Sequence, residues 1–288
     1  MKIVLPNLLF PYIQGLASAL KTLEESCDME IFLWNLEKPL MDVLDELRPD
    51  IILLYQQHID ATLDIAAEDL DFNYIALTGT PVQIKKIPMV YITDNNYIGQ
   101  FINYQKQTLI SQPSANVAQI HNGEHSDKLN ADICVFNNNV QLGAEHVKIL
   151  EWLAANYNTK IFGPQKINLP QYLGDFTIFE RADAIVSSKV CVDLGNFDML
   201  DTCYLKRAPV VLNGTNELYK NFKSIGQLEE ILKNLINNKK ERQQYCNTVY
   251  NDILQNKTFY HRVAEIFAII GDQERSKKSL NKLKELVS

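Results

Sequence analysis

Short apolar runs recur along this chain between segments of helical periodicity, and a run apolar on both faces is stable only where helices cover both sides of a sheet. Ile3-Val4-Leu5, Ile31-Phe32-Leu33-Trp34 and Ile51-Ile52-Leu53-Leu54 are runs of this kind. Ile13, Leu16, Ala17, Leu20 and Leu23 share one helical face between the first two, and Met41 to Leu47 predicts another helix. Asn73 to Leu77 and Pro88 to Thr93 continue the alternation. Strand and helix taking turns in this way predict parallel strands with crossover helices, a Rossmann-like first domain.

A second β/α series starts at Asp132-Ile133-Cys134-Val135-Phe136, after the polar stretch His121 to Asp127, which reads as a linker. The helix Ala144 to Ala155 follows, with Val147, Leu150, Leu153 and Ala154 on its apolar side, and Lys160-Ile161-Phe162-Gly163-Pro164 makes the next strand and turn. A chain of 288 residues suits two cores, each of about 130–150 residues. The expected division is 1–127 for an N-terminal Rossmann-like domain and 128–271 for a C-terminal domain, with 272–288 as a terminal helix packing on the first.

Composition narrows the function classes. A net charge of −7 argues against a broad polyanion-binding surface, and the pairs Lys85-Lys86 and Lys239-Lys240 read as solvated faces. No apolar run approaches the roughly 20 residues that span a bilayer. The start Met1-Lys2-Ile3-Val4-Leu5-Pro6 lacks the long apolar core of a secretory signal, so a cytoplasmic location is expected. The cysteines are scattered and odd in number, 5 in all, which predicts reduced core thiols. His121-Asn122-Gly123-Glu124-His125 has glycine at its centre and no clear third ligand, so no metal site is expected. There is no Gly-x-Ser-x-Gly elbow to suggest a hydrolase.

The chemistry concentrates between Phe179 and Ile270. Ala184 to Asp193 reads as a strand that breaks into the loop Leu194-Gly195-Asn196-Phe197-Asp198; Met199 to Arg207 holds a short helix, and Ala208-Pro209-Val210-Val211-Leu212 is a strand closed by the turn Asn213-Gly214. Such crossovers place ligands at the carboxyl ends of parallel strands. Leu228, Ile231, Leu232, Leu235 and Ile236 then share a helical face, and Lys257-Thr258-Phe259-Tyr260-His261-Arg262-Val263 leads into a closing helix.

This order, together with the aromatic, His-Arg-Val and helix ending, resembles the C-terminal region of GT-B glycosyltransferases, in particular the CgeB-like group, over about residues 130–271. The resemblance implies an α/β fold of two Rossmann-like domains in a GT-B arrangement and a nucleotide-diphosphate sugar as donor substrate, with no further cofactor. Many relatives carry a glutamate at the start of the helix before the Pro-Val strand. Asp201 is the acidic substitute here, although counting back from Pro209 puts Thr202 in that place unless one residue is inserted.

Gly163, Gly195, Asn196, Asp198, Asp201 and Thr202 are the expected donor contacts, since glycine permits close backbone approach and amides or carboxylates bind sugar hydroxyls. Lys189, Lys206 and Arg207 are the candidates to neutralise the diphosphate. The loop Asn137-Asn138-Asn139 offers amides to phosphate or caps the next helix. The acceptor base is expected from the first domain, facing the donor across the cleft. Asp94 and His58 each follow a predicted strand there, and either could take a proton from an acceptor hydroxyl.

These readings together describe a glycosyltransferase acting on a hydroxyl acceptor, with a modified DNA base or a surface glycan as the acceptor. The alternatives are a non-catalytic nucleotide- or sugar-binding protein of the same fold and a sugar-nucleotide epimerase.

Overall fold

A computed structural model of the chain describes residues 1–7, 11–55, 73–77, 89–93, 108–110, 114–120, 123–137, 142–175, 178–194 and 199–288. These form two compact units, one of residues 1–118 with 258–288 and one of residues 119–257. The chain returns to the first unit at Thr258.

The first unit holds six parallel strands, β1 (Lys2–Pro6), β2 (Glu30–Trp34), β3 (Ile51–Tyr55), β4 (Asn73–Leu77), β5 (Met89–Thr93) and β6 (Thr108–Ile110), in the order β2-β1-β3-β4-β5-β6. Ile3, Val4, Leu5, Ile51, Ile52 and Leu53 are all buried, so β1 and the described part of β3 are covered on both faces, as their unbroken apolar runs predict. Helix α1 (Pro11–Lys21) turns Ile13, Leu16 and Leu20 inward. The short helices α2 (Glu24–Cys27) and α4 (Val117–Ile120) and the longer α3 (Leu40–Leu47) connect the rest.

The second unit has six parallel strands, β7 (Ala131–Phe136), β8 (Thr159–Phe162), β9 (Tyr172–Gly174), β10 (Ser188–Asp193), β11 (Ala208–Leu212) and β12 (Lys220–Phe222), in the order β12-β11-β10-β7-β8-β9. Counted along the chain from the opposite edge, this is the 3-2-1-4-5-6 order of a dinucleotide-binding sheet, which reverses direction between β7 and β10. Alternating residues of the two central strands face different cores. Ile133, Val135, Val190 and Val192 pack with Leu150 and Leu153 of α5 (Ala144–Asn156) and with Leu228 and Leu232. Cys134, Phe136 and Cys191 pack on the other face with Ala184 and Ile185.

One local expectation needs correction. Ala184 to Val186 is the end of helix α6 (Ile178–Val186), and β10 begins only at Ser188. Ala184 and Ile185 on one side and Val190 to Val192 on the other are all buried, and the polar stretch Ser187-Ser188-Lys189 between them is too short to tell a change of element from a polar interruption within one strand.

Helices α7 (Leu200–Tyr204), α8 (Ile225–Asn237) and α9 (Lys239–Asn256) complete this unit. The starts of α8 and α9 follow side-chain chemistry: the Gln227 backbone amide donates to the Ser224 hydroxyl and the Glu241 backbone amide to the Asn238 side chain. Helices α10 (Phe259–Ile269) and α11 (Gln273–Val287) return to the first unit. The ring of Phe259 meets Tyr12 edge-on, and the Tyr260 hydroxyl and Thr22 hydroxyl share a hydrogen bond of 2.6 Å.

Candidate functional site

The reversal between β7 and β10 leaves a crevice at the carboxyl ends of these strands, because the crossovers on either side of it depart in opposite directions. Phe136 and Asn137 close β7, Phe162 and Gly163 close β8, and Asp193 and Leu194 close β10. Asn137 and Asp193 are buried polar residues in a place where the neighbouring strand residues are apolar.

The ends of β7 and β8 approach closely. The Asn137 amide donates to the Phe162 carbonyl at 3.0 Å, and the Tyr172 hydroxyl donates to the Gly163 carbonyl at 2.7 Å. A Cβ at Gly163 would collide with the Asn137 carbonyl, so a residue expected to permit a close approach is one that the backbone requires to be glycine.

Asp201 lies in α7, the short helix after β10. Its Oδ2 is 3.1 Å from a terminal guanidinium nitrogen of Arg181, and the two side chains are only 12% and 18% exposed. Arg181 comes from the opening turns of α6 and sits over the Phe136 ring, 6.0 Å from its centre. The pair thus brings the carboxyl end of β7 to the helix that follows β10. Partial burial strengthens the attraction between the two charges and also costs their desolvation, so removing either partner would leave the other poorly solvated.

The other expected residues fall in different places. Thr202 is fully buried, with its hydroxyl 3.8 Å from the Met199 sulfur, so it belongs to the core beneath α7. Lys189 is the second residue of β10 and donates to the Asp132 carboxylate at 2.6 Å. Arg207 immediately precedes β11 and donates to the carbonyls of Val186, Leu205 and Lys206. Lys206 has φ +54° and lies over the Tyr250 ring at 4.3 Å. In a parallel sheet, the starts of β10 and β11 lie at the edge opposite the crevice, so Lys189, Lys206 and Arg207 are not brought to the site. Asp94, His58, Gly195, Asn196 and Asp198 lie outside the described residues.

Arg181 is the residue that reading along the chain missed. It sits near the start of the helix that leads into β10, and such a helix begins at the carboxyl edge of a parallel sheet. Its position in α6 was the available signal, obscured by the assignment of Ala184 to Val186 to a strand.

His261, part of the terminal motif, lies in the first unit and bonds the Thr258 hydroxyl through Nδ1 at 2.8 Å. Burial, with help from the adjacent Arg262 charge, pulls its pKa down to about 4, which suits packing of a neutral ring. Among the described residues, no group of three His, Cys, Asp or Glu side chains could hold a metal ion, and no helix is long and apolar enough to cross a membrane.

No protein-family model matches the chain, and no curated protein sequence does. Solved structures do match. One named as a UDP-N-acetylglucosamine 2-epimerase from Listeria monocytogenes has a TM-score of 0.62 at 10% identity, covering 96% of this chain and 98% of its own. A glycosyltransferase from Rickettsia africae has a TM-score of 0.58 at 10% identity, covering 100% and 98%. A Neisseria meningitidis UDP-GlcNAc 2-epimerase bound to UDP-GlcNAc has a TM-score of 0.54 at 11% identity, covering 98% and 100%. At such identities likeness establishes fold alone: the chain is an α/β protein of two Rossmann-like, parallel-sheet units, with a fold shared by GT-B-type glycosyltransferases and UDP-N-acetylglucosamine 2-epimerases.

Proposed function

We propose that this protein is a sugar-nucleotide enzyme that transfers a sugar from a nucleotide-diphosphate donor to a hydroxyl acceptor, with the donor seated at the carboxyl ends of β7 and β10. The observation that carries this reading is the Arg181–Asp201 pair at the switch point of a 3-2-1-4-5-6 sheet. Asp201 accepts a hydrogen bond from a ribose or sugar hydroxyl, and the Gly163 backbone borders the nucleotide. Gly195, Asn196 and Asp198, which precede α7 in sequence, complete the donor contacts.

Transfer breaks the bond between the sugar and the diphosphate and forms one to the acceptor oxygen, whose proton must leave. Asp94 is the proposed base and His58 the next candidate. A modified DNA base and a surface glycan are the acceptor classes to test, in the cytoplasm, and membership of the CgeB-like group is part of the same reading. UDP sugars come first among donors because proteins of this fold are known with UDP and UDP-GlcNAc.

The neighbours named as 2-epimerases favour a second reading, in which the same donor site rearranges the sugar and no acceptor is used. Incubation with a panel of nucleotide sugars, with and without acceptors, separates the two. Acceptor-dependent release of the nucleoside diphosphate supports transfer, and a changed sugar on an intact nucleotide supports epimerisation. Binding without turnover leaves a non-catalytic binding protein, and no binding of any nucleotide sugar overturns the proposal.

A further inference from the structure

We infer that Arg181 is the side chain on which the second unit holds the diphosphate, with Asp201 as the counter-ion it exchanges for that group. This deepens the nucleotide-sugar reading and rests on it for the identity of the ligand.

The basic residues expected to serve the diphosphate are committed elsewhere: Lys189 to Asp132, Arg207 to three backbone carbonyls and Lys206 to the face of Tyr250. Arg181 lies at the crevice itself. Its guanidinium is held between the Phe136 ring and the Asp201 carboxylate and is partly open to solvent. A planar guanidinium has donors in a fork that fits two oxygens of a phosphate as readily as those of a carboxylate.

A guanidinium against an aromatic ring is poorly hydrated and needs an anion. Asp201 supplies one, and in doing so fixes where an anionic oxygen binds. A diphosphate brings more negative charge to the same fork than one carboxylate does, so it displaces Oδ2 without leaving the cation unmatched. The released carboxylate stays beside the donor, where it accepts from a hydroxyl.

The two roles assigned to Asp201 have opposite consequences, which makes them separable. Against inorganic pyrophosphate, which has no hydroxyls to donate, Asp201 is only a competitor for Arg181. Against a whole nucleotide sugar it is also a ligand.

Titration calorimetry of the full chain with inorganic pyrophosphate, UDP and UDP-glucose tests this. The wild-type protein is expected to bind pyrophosphate, and Arg181→Met to lose about tenfold or more in that affinity, the usual scale of a charge-assisted hydrogen bond. Arg181→Lys should recover part of it. Asp201→Asn should bind pyrophosphate more tightly and UDP-glucose more weakly. A folded Arg181→Met protein with unchanged pyrophosphate affinity, or a wild-type protein that does not bind pyrophosphate, overturns the inference. If Arg181→Met does not fold, Asp201→Asn decides, and unchanged or weaker pyrophosphate binding overturns it. Pyrophosphate binding that depends on Arg181, in a protein that binds no nucleotide from a UDP, ADP, GDP, CDP and dTDP panel, supports the anion site while sinking the nucleotide reading.

Discussion

The carbonyl oxygen of Asn137 stands 2.3 Å from the point that a Cβ on Gly163 would occupy. Two strand ends are therefore joined at a contact that only glycine permits, beside the crevice where β7 and β10 diverge. Gly163→Ala should destabilise the protein by about 1–3 kcal/mol, the usual cost of forcing an extra carbon into a packed site. Gly226→Ala is the control. It lies in α8 with nothing within 4 Å of its new Cβ and should be neutral or stabilising, by up to about 1 kcal/mol. Urea unfolding of both variants checks the pair, and equal stabilities would remove the steric account of Gly163.

Residues 119–257 form a compact unit with both faces of their sheet covered by their own helices. Expressed alone, this segment should fold and unfold cooperatively. Residues 1–118 without 258–288 should not, because α1 would lose the Phe259 ring, packed so tightly that a Cβ on Gly15 would come within 2.0 Å of it. Circular dichroism melts of the two fragments distinguish these outcomes.

The pKa of His261 predicts a pH window. Its folded value of about 4 lies below the ordinary 6.5, because burial and then the Arg262 charge disfavour the imidazolium. Above 6.5 the imidazole is neutral in both folded and unfolded chains. As pH falls from 6.5 towards 4, the unfolded chain binds a proton that the folded one refuses, so the contribution of this group to stability declines through that interval. Carboxylates titrate in part of the same range, so the readout is a comparison with His261→Asn, whose melting temperature should fall less steeply across it. Parallel curves would show that the ring titrates normally.

For catalysis, Asp94→Asn should keep donor affinity and slow transfer by about 100-fold or more, the scale expected when a general base is lost. Donor affinity by calorimetry and initial rates of transfer check the two halves separately. An unchanged rate moves the assignment to His58.

The β/α alternation was legible because buried parallel strands are apolar on both faces, as Ile133 to Phe136 and Ile51 to Leu53 are. The three-residue edge strands β6, β9 and β12 were not, since Thr108–Ile110, Tyr172–Gly174 and Lys220–Phe222 are too short to show a period. Although the count back from Pro209 falls on Thr202, Asp201 was singled out as the acidic residue ahead of the Pro209 strand. Its partner was not, because the ion pair joins two different helices with the whole of β10 between them in sequence. Lys189, Lys206 and Arg207 lie at the starts of β10 and β11, away from the carboxyl ends of the strands. Starting the strand at Ala184 instead of Ser188 put Lys189 past its middle, whereas it is the second residue.

If a nucleotide binds at the carboxyl ends of β7 and β10, a crystal structure of the protein with the nucleoside diphosphate that titrates most tightly should show diphosphate density at Arg181, beside Asn137, Gly163 and Asp201. A nucleotide bound at the opposite edge, against Lys189 and Arg207, or in the first unit alone, would contradict that placement.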